Sequence, residues 1–535
     1  MMEYHATHPS VTKITKNKPP NTDFSFHCVN EETVSKILKN LNPKKSTGSD
    51  KIPAKALKIG YDIIASPYAR LYNNCLENST FPHDAKVAQV TPVFKKDNAL
   101  ERKNHRPVSI LTSTSKVLEK IIETNLNERW LNSVYNESLA AFRAGYSCQH
   151  VLLALCDNWR MIKENRHIPG LLLADLSKAF DCLPHSLVVA KLQAYGMDTK
   201  SLLFITDYLI NRYQRVKIGE TTSSWSRIQK GIPQGSIMGP IIFNLWEDLS
   251  GTLYNYADDN SVLVKGRSKE EVIGNIKSAA HAIVSWCASN QMEANPSKFQ
   301  IMLADEKEST NVEINKSHSV ATESHVKLLG IYLDNKLNFT KQIGEIIRKS
   351  SRQLNCLKRV AYSLSIDIKL MLNKSFVGSN FNYCPVVWHH CGASNTAKLE
   401  KLQFRALKFI YSDYVSDYNA LLKKANMPSL EVSRLRTFAV EVFKIYNDLS
   451  PAFLKDGFIQ PENRYNLRSG RTLLQGHSRT TKYGLHSFRT FGVKIWNSLP
   501  ASLRDTTDIK TFKNQLNTWF GFSCKCNFCK SQVDK

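Results

Sequence analysis

Hydrophobic residues take up a helical spacing where the polar N-terminal stretch ends. Residues 1–30 are dense in Thr, Lys, Asn and Pro, which predicts a flexible lead-in. Beyond them, apolar side chains recur three or four positions apart, as on one face of a helix. These side chains are Val34, Ile37, Leu38 and Leu41. We therefore expect a short amphipathic helix just after residue 30.

Strand-length apolar runs mixed with helical patterns occupy the middle of the chain. One β-type run covers residues 87–94. Within 171–335, residues 171–174 precede an acid, residues 262–264 follow a pair of acids, and residues 328–333 form a third run. Strands that carry acids at their ends, backed by helices, predict an α+β palm.

Beyond about residue 340 the pattern is mostly helical. One apolar stripe at helical spacing comprises Leu399, Leu402, Ala406, Phe409 and Ile410. Residues 464–494 have a weaker periodicity and are dense in Arg, Lys and aromatic residues. That mixture is typical of a nucleic-acid surface and equally of a basic solvated face, so both interpretations stay open.

The charge of the chain indicates what kind of partner it binds. Lys and Arg number 72 against 47 Asp and Glu, a formal charge of +25. Such an excess repels itself unless a polyanion supplies counter-charge, and nucleic acid is the commonest such partner; a basic protein without one is the alternative. Apolar runs fall short of the roughly 18 residues that a membrane helix needs, and residues 1–30 lack a secretory apolar core. The sequence predicts an intracellular chain with no membrane partner.

Twelve cysteines stand singly except for a cluster near the C-terminus. In a large chain without a secretory signal, the scattered cysteines are expected to be reduced. The cluster, Cys524-x-Cys526-x-x-Cys529, has the spacing of metal ligands but supplies three thiols and no following His. A structural zinc site and reduced, exposed cysteines in a Lys-rich tail are the two alternatives.

Two adjacent acids, Asp258 and Asp259, stand between short β-like runs, which predicts a hairpin tip. Neighbouring carboxylates repel each other unless cations lie between them, although an Asp-Asp pair alone is more often a simple turn. A third acid, Asp175, directly follows the apolar run 171–174. Carboxylates and substrate phosphates hold two Mg²⁺ ions about 4 Å apart in enzymes that activate a 3′-hydroxyl and stabilise leaving pyrophosphate.

The order of motifs resembles the reverse transcriptases of non-LTR (LINE-type) retrotransposons, in the jockey-like and chicken-repeat-like group. The resemblance covers essentially the whole chain from about residue 30. It is carried, in order, by segments 44–53, 90–96, 106–111, 142–147, 172–181, 231–240, 256–259, 290–298, 328–330, 381–385, 483–485 and 496–500.

This resemblance implies a right-hand polymerase: fingers, a palm with an antiparallel sheet, a helical thumb and a C-terminal basic region. The expected domains are an N-terminal extension with the opening helix and motif (1–78), fingers and palm (79–335), thumb (336–430) and a basic region with the Cys cluster (431–535). The implied activity is RNA-directed DNA synthesis from dNTPs. The implied partners are an RNA template, above all the element's own RNA, and a DNA primer.

The resemblance also assigns a metal site. Asp175 and Asp258 would be the principal ligands of two Mg²⁺ ions, with Asp259 assisting and Leu176 included beside Asp175. Mn²⁺ is the alternative ion. Lys298 matches a lysine that protonates pyrophosphate, although a solvated surface Lys is an equal alternative.

Further residues match substrate-binding positions of the family. Phe180 matches an aromatic gate that excludes a ribose 2′-hydroxyl, with a core Phe as the alternative. Lys95 and Arg106 match a basic pair on the incoming triphosphate, with plain surface charges as the alternative. The remaining substrate-binding positions are Pro233, Gln234 under the nascent base pair, Gly235, which allows close backbone approach, and Tyr256.

The sequence departs from the family pattern at several points. About 30 residues precede the opening helix, too few for the endonuclease that full-length elements carry. The connection 244–253 is several residues shorter than usual, which would tilt Asp258 and Asp259. Ala141 stands where Gly is common, and Gln342 where His is common.

Three hypotheses follow. The first is an active reverse transcriptase, for which the family's use of chromosomal DNA as primer implies nuclear action. The second is a catalytically impaired retroelement relic that retains only nucleic-acid binding. The third is another palm polymerase, an intron-encoded maturase or an RNA-dependent RNA polymerase. Phe180 and the 256–259 box argue against an RNA-making enzyme, and the C-terminal motifs argue against a maturase.

Overall fold

The computed structural model describes residues 7–20, 22–126, 128–136, 138–177, 179–246, 253–315, 317–459, 471–519, 521–524 and 526–530. The chain contains both helices and sheets, as the α+β prediction requires. None of the described helices combines the length and apolar character that crossing a membrane requires.

The strands in chain order are β1 (Val87–Phe94), β2 (His105–Leu111), β3 (Ile168–Ser177), β4 (Arg212–Ile218), β5 (Thr221–Thr222), β6 (Ser226–Ile228), β7 (Leu253–Tyr256), β8 (Asp259–Gly266), β9 (Glu293–Ala294), β10 (Gln300–Leu303), β11 (Asn311–Asn315), β12 (His318–Ala321), β13 (His325–Leu328) and β14 (Ile331–Asp334).

The helices in chain order are α1 (Pro9–Asn17), α2 (Glu31–Lys39), α3 (Ala54–Ile59), α4 (Tyr61–Glu77), α5 (Ser113–Asn125), α6 (Glu128–Val134), α7 (Cys148–Glu164), α8 (His185–Ala194), α9 (Thr199–Leu209), α10 (Met238–Trp246), α11 (Lys269–Ser289), α12 (Thr340–Val360), α13 (Ile366–Leu372), α14 (Gly378–Asn382), α15 (Ala393–Tyr411), α16 (Tyr418–Lys424), α17 (Leu430–Tyr446), α18 (Phe488–Asn497), α19 (Ala501–Arg504), α20 (Ile509–Thr518) and α21 (Asn527–Lys530).

The chain forms two compact units. The first comprises Met1–Phe142, Asp175–Gly251 and Ala282–Asn295. Its sheet has the order β2–β1–β4–β5, with β6 also paired to β4. β1 is antiparallel to β2 and parallel to β4. The predicted β-type run 87–94 is therefore confirmed as a central strand.

The N-terminal stretch is more ordered than its composition predicts. α1 lies within it and packs against α8, and Val11 and Ile14 on α1 are buried. Phe24 and Phe26 are buried as well, and Phe24 contacts the Trp130 ring at 4.7 Å between centroids. The expected flexible lead-in is wrong for these residues, because sparse apolar side chains among polar ones suffice to anchor the segment. The helix expected after residue 30 is confirmed as α2.

The second unit comprises Arg143–Ala174, Thr252–His281 and Pro296–Lys535. It contains a sheet in the order β10–β3–β8–β7 and two separate hairpins, β11–β12 and β13–β14. The described part of the chain after β14 is helical apart from connecting segments, as predicted. Its largest fully buried side chains include Trp159, Trp388 and Trp496, which mark the core of the unit.

The third apolar run, residues 328–333, is not one strand. β13 ends at Leu328 and β14 begins at Ile331, with Leu329 (φ 45°) and Gly330 (φ 81°) forming the turn between them. The Tyr383 hydroxyl donates to the Leu329 carbonyl at 2.7 Å and thereby holds this turn. The turn between β13 and β14 is not visible in the apolar sequence, because Leu329 adopts a left-handed conformation that Leu rarely takes.

Candidate functional site

The two adjacent acids lie at the tip of the β7–β8 hairpin. Tyr256 pairs with Asp259 across the ladder, and Ala257 and Asp258 form the two-residue loop. Ala257 has φ 56°, a left-handed conformation that two-residue hairpin loops require. Asp258 and Asp259 are both exposed. The hairpin tip predicted from the sequence is confirmed, and it presents two carboxylates side by side.

Tyr256 stands at the base of this tip. Burial, followed by a hydrogen bond with Cys148, raises the pKa of its hydroxyl to about 12. The Tyr256 phenol therefore stays protonated at neutral pH and adds no negative charge beside Asp258 and Asp259.

The hairpin is anchored by polar residues that sequence reasoning missed. Asn158 on α7 donates to the Tyr254 hydroxyl at 2.5 Å. Arg489 donates through one nitrogen to Asn158 at 2.9 Å and through Nε to Asp157 at 2.6 Å. Asp157 is 3% exposed, so this carboxylate is a buried partner that fixes the network. The available signal was a polar pair, Asp157 and Asn158, directly after the apolar run 151–156.

The third acid belongs to β3. Asp175 lies near the carboxyl end of that strand, as the apolar run before it predicted. The side chains of Asp175 and Leu176 lie outside the described part of the chain. The expected convergence of Asp175 with Asp258 and Asp259 therefore stays a prediction. Lys298 is exposed in a short turn, Pro296–Lys298.

In the first unit, the turn at residues 231–236 contacts two other predicted motifs. Ser109 on β2 donates its backbone N–H to the Gln234 carbonyl at 2.7 Å. The Gln234 side chain donates to the Asp181 carboxylate at 2.9 Å. Ile232 donates its backbone N–H to the Phe180 carbonyl at 2.9 Å. Motifs far apart in the chain thus form one substructure.

Two glycines make this close approach feasible. Gly235 has φ 120°, and a Cβ there would stand 2.6 Å from the Ser109 carbonyl oxygen. Gly231 has φ 84°, and a Cβ there would stand 2.6 Å from the Asp181 carbonyl oxygen. No L-residue fits either position without moving backbone. Gly235 therefore lets the turn approach the Ser109 backbone closely, and the neighbouring Pro233 is buried. The substrate-binding roles expected of these residues stay predictions.

A buried acid on α5 forms a hydrogen bond with the residue that directly follows this turn. Glu119 on α5 is fully buried and accepts from the Ile237 N–H at 2.6 Å and from the Tyr208 hydroxyl at 2.9 Å. Burial raises the pKa of Glu119, and the nearby Arg212 opposes that rise. Sequence reasoning missed Glu119, although an acid on the apolar face of an amphipathic helix signals a buried polar partner.

Phe180 is half-buried beside this turn. Its ring stacks on Phe243 at 4.6 Å between centroids, with 20° between the planes. The Phe142 ring meets it edge-on at 6.4 Å. Apolar neighbours hold the Phe180 ring in one orientation, which suits both a gate and a core residue.

One of the two basic residues expected on a triphosphate lies in the β1–β2 ladder and the other directly follows it. Arg106 pairs with Val93 across β1 and β2, and Lys95 donates its N–H to the Asn104 carbonyl at 2.9 Å. Both Lys95 and Arg106 are exposed. They are therefore accessible to an anion.

The departures from the family pattern have structural counterparts. Ala141 is buried, and its carbonyl accepts from the Asn244 side chain at 2.8 Å. The Gln342 side chain accepts from the Tyr332 N–H at 3.0 Å. Most of the short connection, residues 247–252, lies outside the described residues.

The C-terminal cysteines come together in the second unit. Cys524, Cys526 and Cys529 have sulfur atoms within 4.8 Å of one another. The Glu431 carboxylate lies 2.8 Å from the Cys524 sulfur. Cys526 is 2% exposed and Cys529 is 7% exposed, so the alternative of exposed cysteines is wrong for this pair. They pack against an apolar cluster that includes Leu407.

Two thiols of this cluster, those of Cys524 and Cys526, are protonated when no metal is bound. A hydrogen bond with Cys529, then burial, then a hydrogen bond with Glu431 raise the pKa of Cys524. Burial raises the pKa of Cys526 to about 11. A soft cation such as Zn²⁺ would displace these protons, and three thiolates with one carboxylate form a tetrahedral donor set.

Comparison with known proteins identifies the class. The family model described as "Reverse transcriptase (RNA-dependent DNA polymerase)" matches residues 93–333. That range holds the Gly235 turn, Phe180 and the β7–β8 hairpin tip. Residues 93–333 are therefore similar to reverse transcriptase domains.

The relatives of the chain are proteins of mobile elements. The chain is 24% identical over 409 residues to the "Probable RNA-directed DNA polymerase from transposon BS" of Drosophila melanogaster, a match covering 71% of this chain and 44% of the relative. It is 24% identical over 402 residues to the "RNA-directed DNA polymerase from mobile element jockey" of Drosophila funebris, covering 71% and 43%. A type-2 element protein, R2DM of Drosophila melanogaster, is 26% identical over 214 residues, covering 38% and 19%.

The chain spans less than half the length of these relatives. These comparisons support the prediction from the motif order, since the family match is to reverse transcriptases and the relatives include jockey-type, non-LTR polymerases.

Proposed function

We propose that this protein is an RNA-directed DNA polymerase of a non-LTR retrotransposon, which adds dNTPs to the 3′-hydroxyl of a DNA primer along an RNA template. The observation that carries the proposal is the β7–β8 tip, where Asp258 and Asp259 stand exposed and adjacent inside a matched reverse transcriptase domain. The alternative is a catalytically impaired relic. It would have the same fold and the same site residues but no polymerase activity.

The proposed site joins the acids to a metal pair. Asp175, Asp258 and Asp259, with Leu176 beside them, would hold two Mg²⁺ ions, because carboxylates are the hard oxygen donors that Mg²⁺ prefers. Bound there, the ions would activate the primer hydroxyl and stabilise leaving pyrophosphate.

The proposed substrate contacts lie on the other matched positions. Gln234 and Gly235, with Pro233 beside them, would support the nascent base pair. The turn at residues 231–236 supports this assignment, because the Gln234 carbonyl accepts a hydrogen bond from the Ser109 N–H. The further proposed contacts are Lys95 and Arg106 on the triphosphate, Tyr256 beside the acids and Lys298 on pyrophosphate.

The proposed arrangement is a right hand. Fingers and palm would occupy 79–335, a helical thumb 336–430 and a C-terminal basic region 431–535, after an extension over 1–78. The sheet carrying β1 and β2 suits fingers, and the sheet carrying β3, β7 and β8 suits a palm. Priming on chromosomal DNA would require the nucleus.

Primer extension tests the metal site. An RNA template, a DNA primer, Mg²⁺ and dNTPs should yield extended DNA with the wild-type chain, and Asp258→Asn should reduce the rate by about 10³-fold or more. The matched control is Asp505→Asn, at an exposed aspartate outside the matched domain. Equal product from Asp258→Asn and wild type would overturn the site assignment, and no wild-type product would favour the relic.

Nucleotide choice tests the gate. Phe180→Val should raise ribonucleotide incorporation relative to deoxynucleotides, because the smaller side chain leaves room for a 2′-hydroxyl. Phe243→Val removes the ring stacked on Phe180 and serves as the packing control. If both variants lose stability alike and neither changes the ratio of ribonucleotides to deoxynucleotides, Phe180 is a core residue.

We also propose that Cys524, Cys526 and Cys529 bind structural Zn²⁺, with Glu431 as the fourth donor. Metal analysis of the purified chain should find one zinc per molecule, and Cys529→Ser should remove it. Cys356→Ser, at an exposed single cysteine, is the control and should retain the metal. Zinc absent from wild type, or retained by Cys529→Ser, would exclude the site.

A further inference from the structure

A basic cavity lies in the second unit, lined by residues that the proposed polymerase site does not use. Its volume is about 490 Å³, in the range of small-molecule sites. Its lining includes Arg160, Lys336, Thr340, His390, Lys482 and His486. Three of these side chains are cationic, and no acid stands among the described residues that line the cavity.

Arg160 is the unusual member. It is 3% exposed, and among the described residues its guanidinium has neither a hydrogen bond nor an ion pair. Asp157, one turn earlier on α7, is already bound by Arg489 at 2.6 Å and by the Phe488 N–H at 2.5 Å. A buried charge without a directly bonded partner destabilises a fold. Asp157 attracts Arg160 through space but forms its hydrogen bonds with other groups, so the Arg160 guanidinium lacks a directly bonded anion.

The amino end of α12 borders the same cavity. This helix has 21 residues, and its N-cap, Phe339, makes no side-chain cap hydrogen bond. Asn338 and Thr340, which flank the cap, line the cavity. The first N–H groups of a helix and its dipole attract anions. The amino end of α12 is thus a second, independent source of positive potential at the cavity.

Two other nearby carboxylates, those of Asp334 and Glu164, form hydrogen bonds with loops around the cavity and do not pair with Arg160. Asp334 accepts from the N–H groups of Lys336, Asn338 and Phe339 at 3.1, 3.0 and 2.6 Å. Glu164 accepts from the Thr480 hydroxyl at 2.5 Å and from the Arg479 and Thr480 N–H groups. Both acids fix loops around the cavity, so its basic lining is preorganised.

An unpaired ring nitrogen completes the lining. His390 stacks on His486 at 4.1 Å with 7° between the planes, and its Nε2 is buried without a hydrogen-bond partner among the described residues. Burial and nearby positive groups, including Arg160, lower the pKa of His390. A neutral imidazole can still donate one N–H to an incoming oxygen.

We propose that this cavity binds a phosphate monoester, carried by a nucleotide or by the 5′ end of a nucleic-acid strand. Arg160 would contact two phosphate oxygens, with Lys336, Lys482 and the α12 amino end around the remainder. An end group is favoured over an internal phosphodiester. A group that reaches a 3%-exposed guanidinium must enter end-on, and a dianion matches three cations better than a monoanion.

Thermal unfolding of the full chain tests the proposal. Inorganic phosphate, a nucleoside 5′-monophosphate and a 5′-phosphorylated oligonucleotide should each raise the Tm of the wild type, by about 2 °C or more at a hundredfold excess over Kd. Arg160→Gln should abolish the rise, and Lys482→Gln should reduce it. Sodium chloride at equal ionic strength separates phosphate binding from screening.

The controls make each outcome decisive. Without ligand, Arg160→Gln should match or exceed the wild-type Tm, because an unpaired buried charge is removed. Arg405→Gln, at an exposed position outside the cavity, should leave the phosphate response intact. A stronger response to the mononucleotide or to the strand identifies the source. An undiminished response in Arg160→Gln, or equal responses to 5′-phosphorylated and 5′-hydroxyl oligonucleotides, would overturn the proposal.

The polymerase proposal stands or falls separately. Asp258→Asn removes a proposed metal ligand and should keep the full phosphate response, since Asp258 does not line the cavity.

Discussion

Gly235 shows how one missing side chain shapes the candidate site. Because a Cβ there would stand 2.6 Å from the Ser109 carbonyl oxygen, and φ is 120°, Gly235→Ala must displace the backbone of the turn. We expect a loss of more than about 2 kcal/mol in the free energy of unfolding. We also expect a sharp fall in primer extension. Urea denaturation and the extension assay measure the two effects.

Gly274→Ala is the matched control for that substitution. Gly274 lies inside α11, and the space that a Cβ would occupy there has no neighbouring atom within 4 Å, so alanine should stabilise the helix by up to about 1 kcal/mol. Loss of stability at both glycines would show that the turn has no special constraint.

Residue types were predictable where chemistry depends on neighbours in the chain. The Asp258–Asp259 pair and the glycine of the Gln234 turn were recognised from short motifs. Glu119 and Asp157 were not, because each acquires its role from a donor more than a hundred positions away. Burial of an acid is a tertiary property, and the letters alone show only that an acid is present.

At the scale of elements, the segment that follows Trp388 should respond to pH. Burial lowers the pKa of His389 and His390 well below the ordinary 6.5. The charges of Arg434 and Arg160 and the ring of His486 act in the same direction. His389 Nδ1 accepts from Arg434 Nε at 3.3 Å, which requires a neutral ring.

The direction in which stability changes with pH follows from proton uptake on unfolding. Below pH 6.5 the unfolded chain protonates both rings while the folded chain keeps them neutral. The stability that neutral His389 and His390 contribute is complete above that pH. It should decline as pH falls, by up to about 1.4 kcal/mol per pH unit for each ring. Urea unfolding at a series of pH values measures the slope.

Substitution identifies the rings responsible. His389→Gln should flatten the decline, whereas His477→Gln, at an exposed position, should leave it unchanged. An identical slope in all three proteins would assign the pH dependence to other groups.

At the scale of the whole molecule, the formal charge of +25 predicts electrostatic association with nucleic acid. Cationic surfaces release counterions when they bind phosphates, so affinity for an RNA–DNA duplex should fall about 10³-fold or more between about 50 and about 200 mM salt. Fluorescence anisotropy across a salt series gives the slope. An affinity that barely changes with salt would contradict an electrostatic interface.

The sequence by itself determined the mixed α and β class, the hairpin that presents Asp258 and Asp259, and the order of motifs that marks a reverse transcriptase. Each of these depends on local spacing and residue type, which the chain displays directly. Only the tertiary structure decided that residues 328–333 turn back on themselves and that the N-terminal stretch packs onto α8. It also decided that Arg160 lies buried with no hydrogen bond or ion pair among the described residues. These outcomes depend on groups that are distant in the chain and meet only when it folds.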